Sequence, residues 1–110
     1  MKIMNTYEER LLQLIKILKE FQPEKIYAYG SRAQGKAKAG SDIDVAVVVR
    51  DEVDTLDVRR KIALRLWETH YPYDLEPDVH VIPTDVFEKR LTKGDPFITS
   101  VAEGRLVYGL

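Results

Sequence analysis

The sequence predicts an α/β fold, a small sheet covered by helices. Three observations carry that expectation. Apolar residues recur at helical spacing in several stretches, and short β-branched runs lie between them. Prolines and glycines fall at the joins. One run, Ile43 to Val49, is apolar on both alternating faces, which suits a central strand covered from both sides.

The elements follow in order. Thr6-Tyr-Glu-Glu9 has the pattern of a capping box, and Leu11, Leu14, Ile15, Leu18 and Phe21 continue it as a helix that Pro23 ends. Lys25 to Tyr29 reads as a short strand stopped by Gly30. Residues 31 to 40 are small, polar and basic, one helical turn and then a loop. Ile43 to Val49 is the second strand. Asp54 or Thr55 caps a second helix whose apolar stripe is Leu56, Ile62, Ala63, Leu66 and Trp67, running to about His70. Pro72 and Pro77 bracket a turn. Asp78 to Ile82 is a third strand, with Val79 and Val81 on one face and Asp78, His80 and Ile82 on the other. Residues 84 to 93 and 96 to 103 read as helices, and Leu106 to Tyr108 as a last strand. The tyrosines and the single tryptophan are expected in the core.

Bulk composition limits the function classes. With 110 residues, 45% hydrophobic and 32% charged, the chain is read as one domain over 1–110 that needs no covalent staple. It has no cysteine, which excludes a disulfide framework and a thiolate metal site and suits a cytoplasmic setting. Charges interrupt MKIMNTYEERLLQ before a signal-peptide core could form, and Val45 to Val49 is too short to cross a bilayer. A net charge of −1 supplies no field for general nucleic-acid binding, so any anion site must be local.

The stretch YGSRAQGKAKAGSDIDVAVVV, residues 29 to 49, concentrates the chemistry. Asp42 and Asp44 sit two apart at the head of a strand and so point to the same side. Carboxylates that close repel unless a cation lies between them, and oxygen donors favour magnesium or manganese over zinc. Gly30 allows a sharp turn, and a helical turn beginning at Ser31 would offer N–H groups and a hydroxyl to a phosphate. Arg32, Lys36 and Lys38 add local positive charge, with Gly35 and Gly40 leaving the loop pliable. Two-metal phosphoryl chemistry calls for a third carboxylate, for which Asp78 at a strand start is preferred over Asp74 and Glu76 in the turn before it.

Taken singly, each feature has an ordinary explanation. An Asp-x-Asp usually caps or solvates, a Gly-Ser is usually a turn, and three basic residues are usually a solvated loop. His80 is read as a packing or hydrogen-bonding residue. The ordered combination is what points to a magnesium–nucleoside triphosphate: strand, Gly-Ser, basic loop, Ser-Asp-x-Asp, central strand, then a later strand opening with Asp.

Gly30-Ser31-Arg32 followed by Gly40-Ser41-Asp42-Ile43-Asp44 resembles the signature of the DNA polymerase beta superfamily of nucleotidyltransferases, and the short length resembles its minimal nucleotidyltransferase (MNT) branch. The specific match covers residues 27 to 48 plus Asp78, and the tail EGRLVYG is similar as well. The resemblance implies a mixed sheet with helices mainly on one side, and transfer of a nucleoside monophosphate, AMP from ATP, with two magnesium ions and release of pyrophosphate. It implies Gly30, Ser31, Arg32 and Ser41 as nucleotide-binding, and Asp42, Asp44 and Asp78 as catalytic metal ligands. It further implies a helical HEPN toxin as partner, neutralised by adenylylation of a tyrosine. A non-catalytic module that neutralises its partner by occlusion is the alternative. A sugar-nucleotide Asp-x-Asp enzyme needs a larger domain and leaves the upstream Gly-Ser unexplained. The apolar faces of the C-terminal segment offer an interface, including one for a homo-oligomer.

Overall fold

The computed structural model describes residues 6–30 and 42–109. The turn and loop expected over 31–40, with Ser31, Arg32, Lys36, Lys38 and the neighbouring Ser41, lie outside the described residues. Helix α1 spans Thr6–Leu18 and tightens into a 3-10 turn over Lys19–Phe21. Strands β1 (Lys25–Tyr29) and β2 (Ile43–Val49) precede helix α2 (Thr55–Glu68). Strand β3 (Pro77–Pro83), helices α3 (Thr84–Thr92) and α4 (Pro96–Ala102), and strand β4 (Arg105–Tyr108) complete the chain.

The sheet runs β3-β2-β1-β4. β1 is antiparallel to both β2 and β4, while β2 and β3 are parallel, so the sheet is mixed as the resemblance implied. β2 lies inside the sheet, and Val45 to Val49 are each no more than 2% exposed. Its alternating faces feed two separate cores. On one side Ile43, Val45, Val47 and Val49 pack with Leu11, Leu14 and Leu18 of α1 and Val58, Ile62 and Leu66 of α2. Fully burying a side chain of this kind contributes roughly 1.5–3 kcal/mol before entropy is counted. On the other side Ala46 and Val48 meet Tyr27, Tyr29, Ile82, Phe87, Ile98 and Val101, a smaller cluster closed by α3 and α4. The heavier layer is the α1/α2 side; the short α3 and α4 add a second, thinner one.

Local chemistry sets the ends of these elements. Gln22 at φ 53° turns the chain out of the 3-10 turn ahead of Pro23. Asp54 caps α2 by accepting a hydrogen bond from the Asp57 N–H at 3.1 Å, and Asp95 caps α4 through the Ile98 N–H at 2.9 Å. Gly104 lies where the chain leaves α4 for β4. A Cβ there would meet the Ala28 carbonyl of β1, which gives the first glycine of the EGRLVYG tail a packing reason.

Two sequence expectations are corrected around α2. The helix ends at Glu68, two residues short of His70, because Thr69 leaves helical geometry and His70 takes φ 58°. The apolar stripe is placed only in part: Ile62 and Leu66 are buried as expected, joined by Val58, whereas Ala63 is exposed, Leu56 is 53% exposed and Trp67 75%. Spacing of three and four fits two faces of an amphipathic helix, and packing on the sheet selects the Val58 face. Tyr73 is likewise exposed, while Tyr7, Tyr27, Tyr29 and Tyr71 are buried. As Trp67 is the only tryptophan, the folded protein is expected to emit with a maximum close to that of free tryptophan in water and to be quenched readily by iodide. A blue-shifted, protected emission would refute this placement.

Candidate active site

β1, β2 and β3 bring three polar side chains into one row. In the antiparallel β1–β2 ladder Tyr29 is opposite Asp44, and in the parallel β2–β3 ladder Asp44 is opposite Asp78. All three belong to the face that carries Ala46, Val48 and Ile82, the α3/α4 side of the sheet. Asp44 is half-buried, and its carboxyl lies within hydrogen-bond reach of Asp78. Burial raises the Asp44 carboxyl first, and the charges of Asp78 and Asp42 raise it further; with the Asp78 hydrogen bond the result is about 6, slightly offset by His80. Burial, then Asp44 and Asp78, hold the Tyr29 phenol well above its usual range, so it stays neutral.

Asp42 is exposed at the mouth of β2, and its charge reaches Asp44. Carboxylates repel, and among the described residues no three Asp, Glu or His side chains gather closely enough to hold an ion as they stand. The donor set still fits a hard divalent cation. Two carboxyls held together by strand register, one of them half-buried, offer only oxygen ligands. Asp74 is otherwise engaged: Arg10 Nε and Nη2 donate to its two oxygens at 2.6 and 2.7 Å. That fork ties α1 to the turn before β3, which Glu76 also anchors by accepting the Ile43 N–H at 2.9 Å.

Gly30 ends β1 at φ 83°, in the left-handed region, and a Cβ there would fall on the Asp44 carboxylate. The residue therefore serves backbone direction and room for the acid at once. Gly30→Ala is expected to cost on the order of 1–2 kcal/mol from backbone strain alone and to displace Asp44 as well. Gly94→Ala, at φ 76° with nothing within 4 Å of the added Cβ, carries only the strain. Chemical denaturation of both variants separates the two contributions; equal losses would mean that Asp44 simply swings aside.

Aromatic rings border the acid row. His80 stands two residues along β3, with Nε2 3.5 Å from Asp78 Oδ2. Phe97, near the start of α4, has its ring centroid 5.0 Å from that of His80 and 5.6 Å from that of Tyr29, the latter edge-on at 84°. Sequence reasoning gave neither Tyr29 nor Phe97 a part in the site. Tyr29 had a legible signal, since it directly precedes Gly30. Phe97 had none, because only the fold of α4 over the sheet carries it there. A cleft of about 300 Å³ lined by Gln13, Lys16, Glu20 and Arg65 lies between α1 and α2, in the layer opposite the acids.

A mixed sheet presenting paired carboxyls beside a left-handed glycine at a strand end has oxygen donors for a hard divalent ion and backbone room for a close-approaching ligand. The chain belongs to the polymerase beta nucleotidyltransferase family, described as "Polymerase beta, Nucleotidyltransferase", which matches residues 12–108. Among solved structures it is similar to a toxin–antitoxin crystallised with AMP-PNP, at 26% identity over 90% of this chain and 73% of that one, with a TM-score of 0.55. It is also similar to a tri-AMPylated Shewanella oneidensis HEPN toxin in complex with MNT antitoxin, at 21% identity over 96% and 74% of the two chains, with a TM-score of 0.56. That second likeness is one of fold alone. No curated protein sequence matches the chain. Among the described residues no helix is long and apolar enough to cross a membrane.

Proposed function

We propose that the chain is a magnesium-dependent nucleotidyltransferase that moves AMP from ATP to a tyrosine hydroxyl of a helical HEPN toxin, acting as the antitoxin. The observation that carries this reading is the in-register pairing of Asp44 with Asp78 beside Gly30. Family membership supports nucleotidyl transfer, and the toxin–antitoxin relative with AMP-PNP supports an adenine nucleotide and a toxin as partner.

In this reading residues 1–110 act as one minimal nucleotidyltransferase domain in the cytoplasm. Gly30, Ser31, Arg32 and Ser41 receive the triphosphate. Asp42, Asp44 and Asp78 would hold magnesium, or manganese in its place, which when bound neutralises the charge that builds on the phosphate oxygens. Asp44, central in the row, serves both the nucleotide and the acceptor. Asp78, on the β3 side away from Gly30, faces the entering hydroxyl. That oxygen bonds to the α-phosphorus as the bond to pyrophosphate breaks in line, so the residues contribute by positioning and by aiming charge.

The test is incubation with magnesium and labelled ATP, alone and with the product of the neighbouring reading frame. Label should move onto that product and should not move with Asp42→Asn/Asp44→Asn. Suppression of the toxin by that double variant, with no transfer, would replace this reading with neutralisation by occlusion.

A further inference from the structure

We propose that Phe97 and His80 form the subsite that seats the aromatic ring of the acceptor, so that the protein selects a phenolic hydroxyl over an aliphatic one. The inference rests on the proposed transferase reading and adds the acceptor-side residues to it. In-line displacement puts the entering oxygen opposite the departing pyrophosphate. The phosphate side is at Gly30, where β1 ends, and β3 lies across β2 from β1. The acceptor therefore enters over β3, where Asp78 and His80 share a face. His80 keeps 42% of its side chain exposed while standing 3.5 Å from Asp78. Phe97 is 38% exposed, and its ring lies 5.0 Å from the imidazole with the planes at 56°. Tyr29 closes the inner side, 5.6 Å from Phe97 and edge-on to it.

Each ring separation lies within the range over which aromatic pairs attract, and the exposed sides of Phe97 and His80 leave room for a third ring. A serine or threonine acceptor would gain nothing from these faces. A phenol, with its hydroxyl on the far end of a rigid ring, would be carried toward Asp78. Tyr29 itself is buried and is part of the wall.

The full-length protein is assayed with magnesium, labelled ATP and the neighbouring-frame product, using wild type, Phe97→Ala, Phe97→Leu and Phe97→Tyr. Phe97→Ala is expected to raise KM for the acceptor about tenfold, from the loss of ring contact, with nucleotide affinity unchanged. Phe97→Leu, which keeps apolar bulk without a ring face, should resemble Ala, and Phe97→Tyr should recover most of the loss. Replacing the labelled tyrosine of the acceptor by serine should abolish transfer with wild type. Wild-type behaviour of Phe97→Ala, equal weakening of ATP binding, or full rescue by leucine would each overturn the subsite while leaving the transferase reading in place. Absence of transfer by wild type onto every acceptor would overturn both.

Discussion

Asp44→Asn is expected to reduce nucleotidyl transfer by on the order of a thousandfold or more, and at the same time to make the protein more stable above pH 6. Both effects come from one arrangement. Strand register holds Asp44 next to Asp78, half-buried and within reach of the charge of Asp42. A carboxyl so placed is well suited to grip a divalent ion and poorly suited to sit there ionised without one. The amide keeps the shape and one oxygen but loses the charge that ion binding needs.

The sign of the stability change follows from linkage. The folded state holds the Asp44 proton up to about pH 6, above its ordinary carboxylate value. That raised affinity favours folding below the unfolded-state value and is lost as pH rises through 6. Thermal melts without added metal should therefore show Asp44→Asn above wild type at pH 8, with the gain shrinking toward pH 4. Magnesium should raise the wild-type melting temperature at pH 8 and have little effect below pH 5, where protons displace it. A variant that melts with wild type at every pH would mean that Asp44 is solvated, and the burial argument for the site would fail.

Much of the fold was legible because local rules and packing agreed. The strands at Lys25–Tyr29 and Ile43–Val49 fall where their apolar runs stop at Gly30 and begin after Asp42. Asp54 caps as its side chain allows. Trp67 and Leu56 were misread because helical periodicity identifies stripes and cannot say which of two stripes meets the sheet. The site was legible in part for a similar reason. Gly30 and Asp44 announce themselves by residue type, yet their mutual contact depends on β1 and β2 pairing antiparallel in one register. The pairing of Asp44 with Asp78 spans 34 residues of sequence and needs the parallel crossover through α2. Phe97 joins the acids only through tertiary packing, which no spacing rule expresses.

Ile43→Ala is expected to lose about 2–5 kcal/mol of stability, a large share of what a domain this size holds. Ile43 is fully buried between the two aspartates of Asp42-Ile-Asp44, on the opposite face of β2, and its N–H is donated to the Glu76 carbonyl at 2.9 Å. It thus fixes which way the acids point: with Ile43 anchored toward α1 and α2, Asp44 has to face α3 and α4. Val47→Ala, also fully buried on the same face, removes fewer methyl groups far from the acids, and is expected to destabilise less and to leave the proposed transfer by the folded protein unchanged. Ile43→Val should cost only about 0.5–1.5 kcal/mol and keep the register. Urea denaturation at unchanged slope measures the stabilities, and transfer assays below each melting point measure the folded protein alone. The decisive comparison is activity per folded molecule. If Ile43→Ala retains it as fully as Val47→Ala does, the backbone hydrogen bonds of β2 hold the acids in place unaided, and the apolar anchor between them contributes to the core and nothing to the chemistry.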